Sequence, residues 1–352
     1  MKNFNLKYFL GANSANGFVS EFGSNCDTRF KTYIIKGGPG TGKSSFMKKI
    51  AKRAKENNEK VTVCPCSSDP DSLDAVILDD KKIMLLDGTA PHTVDPVYPA
   101  VCQEILNFGD FWDCEKLKNK DEVIKITDYN KTLHKTASSY IVAAGDLLFD
   151  NLKTAESCTD VKKVEHFSKK LCQRFIPENV GQGRETIRFL SAVTPKGIVS
   201  FPETVTENFE NIIIIKDEFF NISSKILKYV RDFALKSGYE IITLKNPLFP
   251  DLIDHIIIPD LSFSIVSENR FIKFDITARR IHSRRFVDSR LLHHSKNRIK
   301  FNNKAADMLL NAAFNTLSQA KTVHDELEKH YINAMNFEKI NSFTDMFCNK
   351  LF

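Results

Sequence analysis

Residues 32–45 read Thr32-Tyr33-Ile34-Ile35-Lys36-Gly37-Gly38-Pro39-Gly40-Thr41-Gly42-Lys43-Ser44-Ser45. An apolar, strand-like run enters the glycine cluster and a helix-like run, Ser45 to Asn57, leaves it. Glycines let backbone N–H groups turn inward around an anion, because a Cβ bars both positive φ and close approach. A helix starting near Lys43 aims its dipole and its free N–H groups at the same point. The spacing Gly37-x4-Gly42-Lys43-Ser44 is that of a phosphate-binding loop between a strand and a helix.

On this reading Gly37, Gly38, Pro39, Gly40, Thr41, Gly42, Lys43, Ser44 and Ser45 cradle a nucleoside triphosphate. Lys43 reaches the β- and γ-phosphates, and the Ser44 hydroxyl serves Mg²⁺. No Asn-Lys-x-Asp run of the guanine-reading kind is present, and Asn119-Lys120-Asp121-Glu122 has the wrong spacing, so ATP is the expected nucleotide.

The chain of 352 residues has room for two ordinary domains, and 42% apolar content supports sizeable cores. A net charge of +6 is too mild to argue for a nucleic-acid partner by itself. The opening MKNFNLKYFLGANSANG has no apolar stretch of signal-peptide length, and no run approaches a membrane span. The eight cysteines are scattered, with Cys64-Pro-Cys66 the one close pair, which reads as small apolar residues at a buried strand end. A reduced, cytoplasmic protein is expected.

The chain repeats itself at an offset of 180. Phe9-Leu10-x-Ala12 and Gly17-x-Val19-Ser20 match Phe189-Leu190-x-Ala192 and Gly197-x-Val199-Ser200. Ile34-Ile35-Lys36 matches Ile214-Ile215-Lys216, and Pro70-Asp71-x-x-Asp74 matches Pro250-Asp251-x-x-Asp254. Between residues 9 and 89 there are 17 identities in 81 gapless positions. The prediction is an α/β protein of two tandem P-loop NTPase-type domains, 1–180 and 181–352. Each is three-layered, with a mostly parallel sheet flanked by helices, and the chain ends in helices. In the second copy Asp217-Glu218-Phe219-Phe220-Asn221-Ile222-Ser223 replaces the glycines and the lysine, so that loop is degenerate and is not expected to hold a nucleotide.

A copy that lost its phosphate loop sorts residues by role. Pairs retained in both halves read as structural: Gly17/Gly197 and Pro70/Pro250 as turn devices, Asp71/Asp251 and Asp74/Asp254 as turn or cap carboxylates. Features confined to the first half are the functional candidates: Gly42, Lys43, Asp69, Asp87 and His92. Asp87 ends the run Ile83-Met84-Leu85-Leu86, the pattern of a carboxylate that joins Ser44 in holding Mg²⁺. Asp79 and Asp80 compete for that role, though Asp80 persists as Asp260. No glutamate follows Asp87 to act as a base. Asp69 and His92 are the remaining groups for orienting a water or an acceptor.

Residues 100–112, 136–156 and Lys304 to about Phe347 read as helices. His324, Asp325 and Glu328 resemble metal ligands by type but read as a solvated helical face. Residues 279–300 are basic, with Arg279, Arg280, Arg284, Arg285, Arg290, Lys296, Arg298 and Lys300 against Asp288. They read as a salt-bridged surface, a nucleic-acid surface, or the source of an arginine for the nucleotide, for which Arg184 and Arg188 also stand.

Taken together, Gly11–Ser20, Lys36–Ser44, Ser67–Asp74, Asp87-Gly-Thr-Ala-Pro-His92, Thr194–Gly197 and His324–Glu328 resemble a family of tandem P-loop ATPases from low-GC Gram-positive bacteria. The resemblance implies a cytosolic P-loop ATPase fold with nucleotide at Gly37–Ser45. The loop Asp217–Ser223 departs from the better second loop of the family. The expected function is a Mg²⁺-dependent ATPase with one working site. The alternatives are a small-molecule kinase, or a nucleotide-gated binding module that does not hydrolyse, linked to nucleic acid through 279–300. No membrane partner is expected.

Overall fold

The computed structural model describes residues 5–90, 92–117 and 119–352. Pro91, in the Asp87–His92 motif, lies outside the described residues. The first half opens with β1 (Asn5–Lys7) and a hairpin, β2 (Gly11–Ser14) and β3 (Gly17–Ser20). There follow β4 (Lys31–Lys36), α1 (Lys43–Glu56), β5 (Val61–Pro65), β6 (Leu73–Leu78), β7 (Ile83–Asp87) and β8 (Gln103–Asn107). The long α2 (Lys120–Ser157) and α3 (Val161–Phe175) complete it.

The second half runs through β9 (Arg184–Phe189), the hairpin β10 (Ser191–Thr194) and β11 (Gly197–Ser200), α4 (Glu203–Thr206), β12 (Asn211–Lys216), α5 (Asn221–Lys236), β13 (Glu240–Lys245), β14 (Ile253–Ile258), β15 (Phe263–Glu268) and β16 (Arg279–His282). It ends with α6 (Ser289–His294), α7 (Lys296–Ile332) and α8 (Phe337–Leu351).

Two six-stranded mixed sheets result. The first has the order β1-β5-β6-β7-β4-β8, with β6 alone antiparallel to the rest. The second has the order β9-β13-β14-β15-β12-β16, with β14 alone antiparallel. The bounds of β2, β3, β4 and β6 recur 180 residues later in β10, β11, β12 and β14. Gly17 and Gly197 close their hairpins at φ +88° and +95°, a conformation that needs glycine at both places. Phe9 and Phe189 exchange backbone hydrogen bonds in both directions, at 2.8 and 3.0 Å, so each residue pairs with its own counterpart. The residues around them, Tyr8, Ala12, Leu190 and Ala192, form one buried cluster fed by both halves.

The two halves exchange their last helices. α1 covers one face of the first sheet with Phe46, Met47 and Ile50, and the rest of that cover is Ile340, Phe347 and Cys348 of α8. Val164, Leu171 and Cys172 of α3 pack instead with Ile213, Ile222 and Ile226 of the second half. The carriers are α2 and α7, 38 and 37 residues long, each roughly 55 Å from end to end. They lie antiparallel, joined by Ala137, Ile141, Ala144 and Leu148 against Ala306, Leu310, Ala313 and Leu317. Asn130 Nδ2 donates to the Ala320 carbonyl at 2.6 Å near one end, and Asn302 Nδ2 to Asp150 Oδ2 at 2.7 Å near the other. Each long helix therefore delivers its successor to the opposite sheet. Among the described residues no helix is long and apolar enough to cross a membrane.

One helical expectation is corrected. Residues 100–112 hold the edge strand β8 and a short 3₁₀ turn (Phe108–Phe111). The buried positions of β8, Gln103 and Leu106, happen to be three apart, which imitates a helix. The unpaired edge of β4 needs backbone partners, and that requirement decides the structure. The stretch 304–347 is helical as expected, in two pieces. It breaks after α7, and Asn336 caps α8 by accepting from Lys339 N.

Candidate functional site

The loop 37–42 joins the C-terminal end of β4 to the first turn of α1. Gly40 and Gly42 hold φ at +66° and +81°. A Cβ on Gly40 would also lie 2.9 Å from the Glu328 carbonyl oxygen and from Ile332, so glycine is required there twice over. Lys43 Nζ folds back to donate to the carbonyls of Gly37 and Gly38, both at 2.8 Å, and stands 3.6 Å from Asp87 Oδ2. Asp87 ends β7, the strand directly beside β4. Its Oδ1 accepts from the amide and hydroxyl of Thr89, which leaves Oδ2 facing the lysine. Asp79 and Asp80 sit at the other end of the sheet, where they accept from Thr62 Oγ1 and Lys60 N, so they are not brought to the loop.

The end of α7 lies across this loop. Glu328 Oε1 accepts from the Gly40 amide at 3.2 Å, and His324 Nε2 stands 3.6 Å from the same oxygen. The nearby His324 holds the Glu328 carboxyl below its usual range, and the Gly40 N–H adds to the effect. Tyr331 and Trp112 meet at a tilt of 35°, with ring centroids 5.5 Å apart, beside Gly38. The motif His324–Glu328 is thus a part-solvated face, as read from sequence, from which Glu328 also reaches the loop. No arginine from 184–298 makes a hydrogen bond or ion pair to the loop among the described residues. Arg188 is buried against Asn25 and the Tyr8 ring, and Arg298 pairs with Asp150.

Ser44 and Ser224 are identical positions with an identical task. Ser44 Oγ accepts from Leu73 N at 3.0 Å, and Ser224 Oγ accepts from Ile253 N at 3.3 Å. Each ties a helix start to the first residue of an antiparallel strand. Asp69 accepts from Ser72 Oγ at 2.8 Å and lies 3.5 Å from Lys321 of α7, so it is a turn carboxylate linked to the long helix. His92 is buried, stacked on Phe22 at 4.5 Å and 6° between planes, with Nε2 4.0 Å from Asp74 Oδ2. Burial pushes His92 down to about 4.

Asp74, which reads from sequence as a structural cap, is buried, and the β6–β7 register places it beside Asp87. Burial, with the Asp87 charge second, pushes its carboxyl up to about 8. Cys66, Asp74 and His92 offer ligand atoms all within 4.8 Å of one another. In the sequence this group is masked, because Asp74 has a counterpart in Asp254. The usable signal was its neighbour, since Cys66 faces Asn246 and His92 faces Ile272.

The matching loop of the second half carries its own carboxylate. Asp217 Oδ2 accepts from Ser223 N at 2.8 Å and Ser223 Oγ at 3.1 Å, and Oδ1 accepts from Phe219 N at 3.3 Å. Phe220, at the position of Gly40, also holds a positive φ, +62° against +66°. Outside it lies a cavity of about 910 Å³ whose lining includes Lys273, Arg284, Lys296 and Lys300. The basic stretch 279–300 therefore bends around a concavity on the second half, away from the glycine loop. No family model, curated protein or solved structure matches the chain.

Proposed function

We propose that the protein binds ATP with Mg²⁺ at the glycine loop and acts as an ATPase with one working site, within a tandem of two P-loop-type halves. The observation that carries this is the loop itself. Gly40 and Gly42 lie at positive φ between a parallel strand and a helix start, and Lys43 stands 3.6 Å from a strand-end aspartate. The backbone amides of 38 and 40–44 would bind phosphate oxygens, and Lys43 would exchange its carbonyl partners for the β- and γ-phosphates. Ser44 Oγ and Asp87 Oδ2 would hold Mg²⁺, whose charge offsets that developing on the transferred phosphoryl group. The donor set suits it: hard oxygens beside a lysine, with Asp87 already oriented by Thr89. The Asp217 carboxylate supports a silent second half, since it satisfies the amide and hydroxyl of Ser223 that a phosphate would need.

A second reading has its own observation. Glu328 on the Gly40 amide favours a nucleotide-gated module in which ATP displaces the end of α7. The deciding experiment is ATP binding by calorimetry together with assays of phosphate release and transfer. Lys43→Ala should weaken binding at least about tenfold, and Asp87→Asn should cut the Mg²⁺-dependent part. Binding unaffected by Lys43→Ala would remove the assignment. Binding without turnover selects the gated module, and transfer without phosphate release selects a kinase.

A further inference from the structure

We propose that Cys66, Asp74 and His92 form a site for a divalent transition metal, with Zn²⁺ the ion that fits the donors. The proposal is independent of nucleotide binding. Thiol, carboxylate and imidazole come from three separate places: the loop after β5, the start of β6, and the loop after β7. Their ligand atoms already lie within 4.8 Å of one another. Closing to the roughly 3.5 Å separations of a tetrahedral zinc shell takes about an ångström of side-chain movement. Asp74 Oδ2 and His92 Nδ1 are buried with no hydrogen-bond partner, so this is a polar cluster whose bonds are not completed by protein. The His92 ring is held by Phe22 at 4.5 Å and Phe18 at 5.0 Å, which limits its orientation.

The second half supplies the control. There the same carboxylate, Asp254, is satisfied by neutral amides. Asn246 Nδ2 donates to both of its oxygens at 3.1 Å, and Asn269 Nδ2 to one at 3.4 Å. Asn246 occupies the position of Cys66, and Ile272 that of His92. The fold thus has a metal-free way to bury this aspartate, and the first half replaces it with two good metal ligands. A sulfur, nitrogen and oxygen set selects Zn²⁺ or Co²⁺ over Mg²⁺. Bound there, the ion would pin the segment after Asp87 to the strand beside it.

The test uses the full chain. Protein loaded with Zn²⁺ or Co²⁺ and freed of excess should retain one equivalent by elemental mass spectrometry. The Co²⁺ form should show a thiolate-to-metal charge-transfer band. Cys66→Asn and His92→Ile copy the second half, so folding should survive, as circular dichroism will show. Cys66→Asn should abolish the band, and both should weaken Co²⁺ binding by at least about 100-fold. A wild-type chain that retains no equivalent overturns the proposal, as does a folded Cys66→Asn protein with unchanged affinity. If a variant fails to fold, the stoichiometry and spectrum of the wild type decide alone.

Discussion

The Glu328 carboxylate accepts a hydrogen bond from the Gly40 amide at 3.2 Å, so the far end of α7 sets a negative charge on the glycine loop. A bound triphosphate needs that amide and is repelled by that charge. Removing the carboxylate should therefore tighten nucleotide binding. Glu328→Gln keeps most of the shape and should raise ATP affinity by about threefold to thirtyfold, the size of one lost carboxylate–amide bond and its repulsion. Calorimetry against wild type reads this directly. Weaker binding in Glu328→Gln would mean that the carboxylate helps the ligand, and gating by α7 would be abandoned.

Ser44 and Ser224 separate a structural duty from a ligand duty. Each accepts a hydrogen bond from the first amide of an antiparallel strand, so Ser44→Ala and Ser224→Ala should each cost about 1 kcal/mol in urea unfolding. Only Ser44→Ala should also weaken the Mg²⁺ dependence of ATP binding. Equal effects of both changes on that dependence would take Ser44 out of the metal shell.

What could be read from the chain follows from what a periodic pattern encodes. Ile34-Ile35 and Ile214-Ile215 lie in buried strands inside their sheets, and a run of β-branched residues before a turn states that without help from the rest of the molecule. The exchange of α3 and α8 was not readable. An amphipathic stripe such as Ile340, Thr344 and Phe347 says that a face is covered, never by which sheet. Edge strand β8 failed for a related reason, since its demand came from β4. At the site, Lys43 and Asp87 stood out because the second half has Ser223 and Ser267 in their places. Asp74 was hidden by its own retention, although the two halves satisfy that carboxylate with different partners.

Asp254 should make the apo protein lose stability as pH rises. Its burial pushes the carboxyl up to about 7, well above the ordinary range of an aspartate. Between roughly pH 4 and 7 the folded state therefore holds a proton that the unfolded chain releases, and the contribution to stability falls across that window. Asp254→Asn removes the titration. The difference in unfolding free energy between variant and wild type should be flat below pH 4 and move in the variant's favour up to pH 7. The total should be on the order of a few kcal/mol. Taking the difference cancels His255, whose burial lowers it to about 3 and which opposes the trend between about pH 3 and 6.5. A pH-independent difference would show that Asp254 titrates normally.

The exchanged helices predict that neither half of the chain stands alone. Residues 1–180 retain the first sheet but lose α8, whose Ile340, Phe347 and Cys348 close the core around Phe46 and Ile50. Residues 181–352 lose α3, whose Val164, Leu171 and Cys172 do the same over Ile213 and Ile226. Each fragment exposes a sheet face and one unpartnered long helix, so each should aggregate or fail to give native near-ultraviolet dichroism. Produced together, the fragments should associate into a folded one-to-one complex, because the α2–α7 seam and the Phe9–Phe189 bonds draw them into register. The point version is Phe347→Ala in the full chain. It should cost about 3–5 kcal/mol, since Phe347 meets Phe46 at 5.3 Å and Tyr33 at 4.9 Å. By reciprocity, Leu171→Ala should cost about 2–5 kcal/mol, through the second sheet. A monomeric, natively folded 1–180 fragment would show that α8 is dispensable to the sheet it covers.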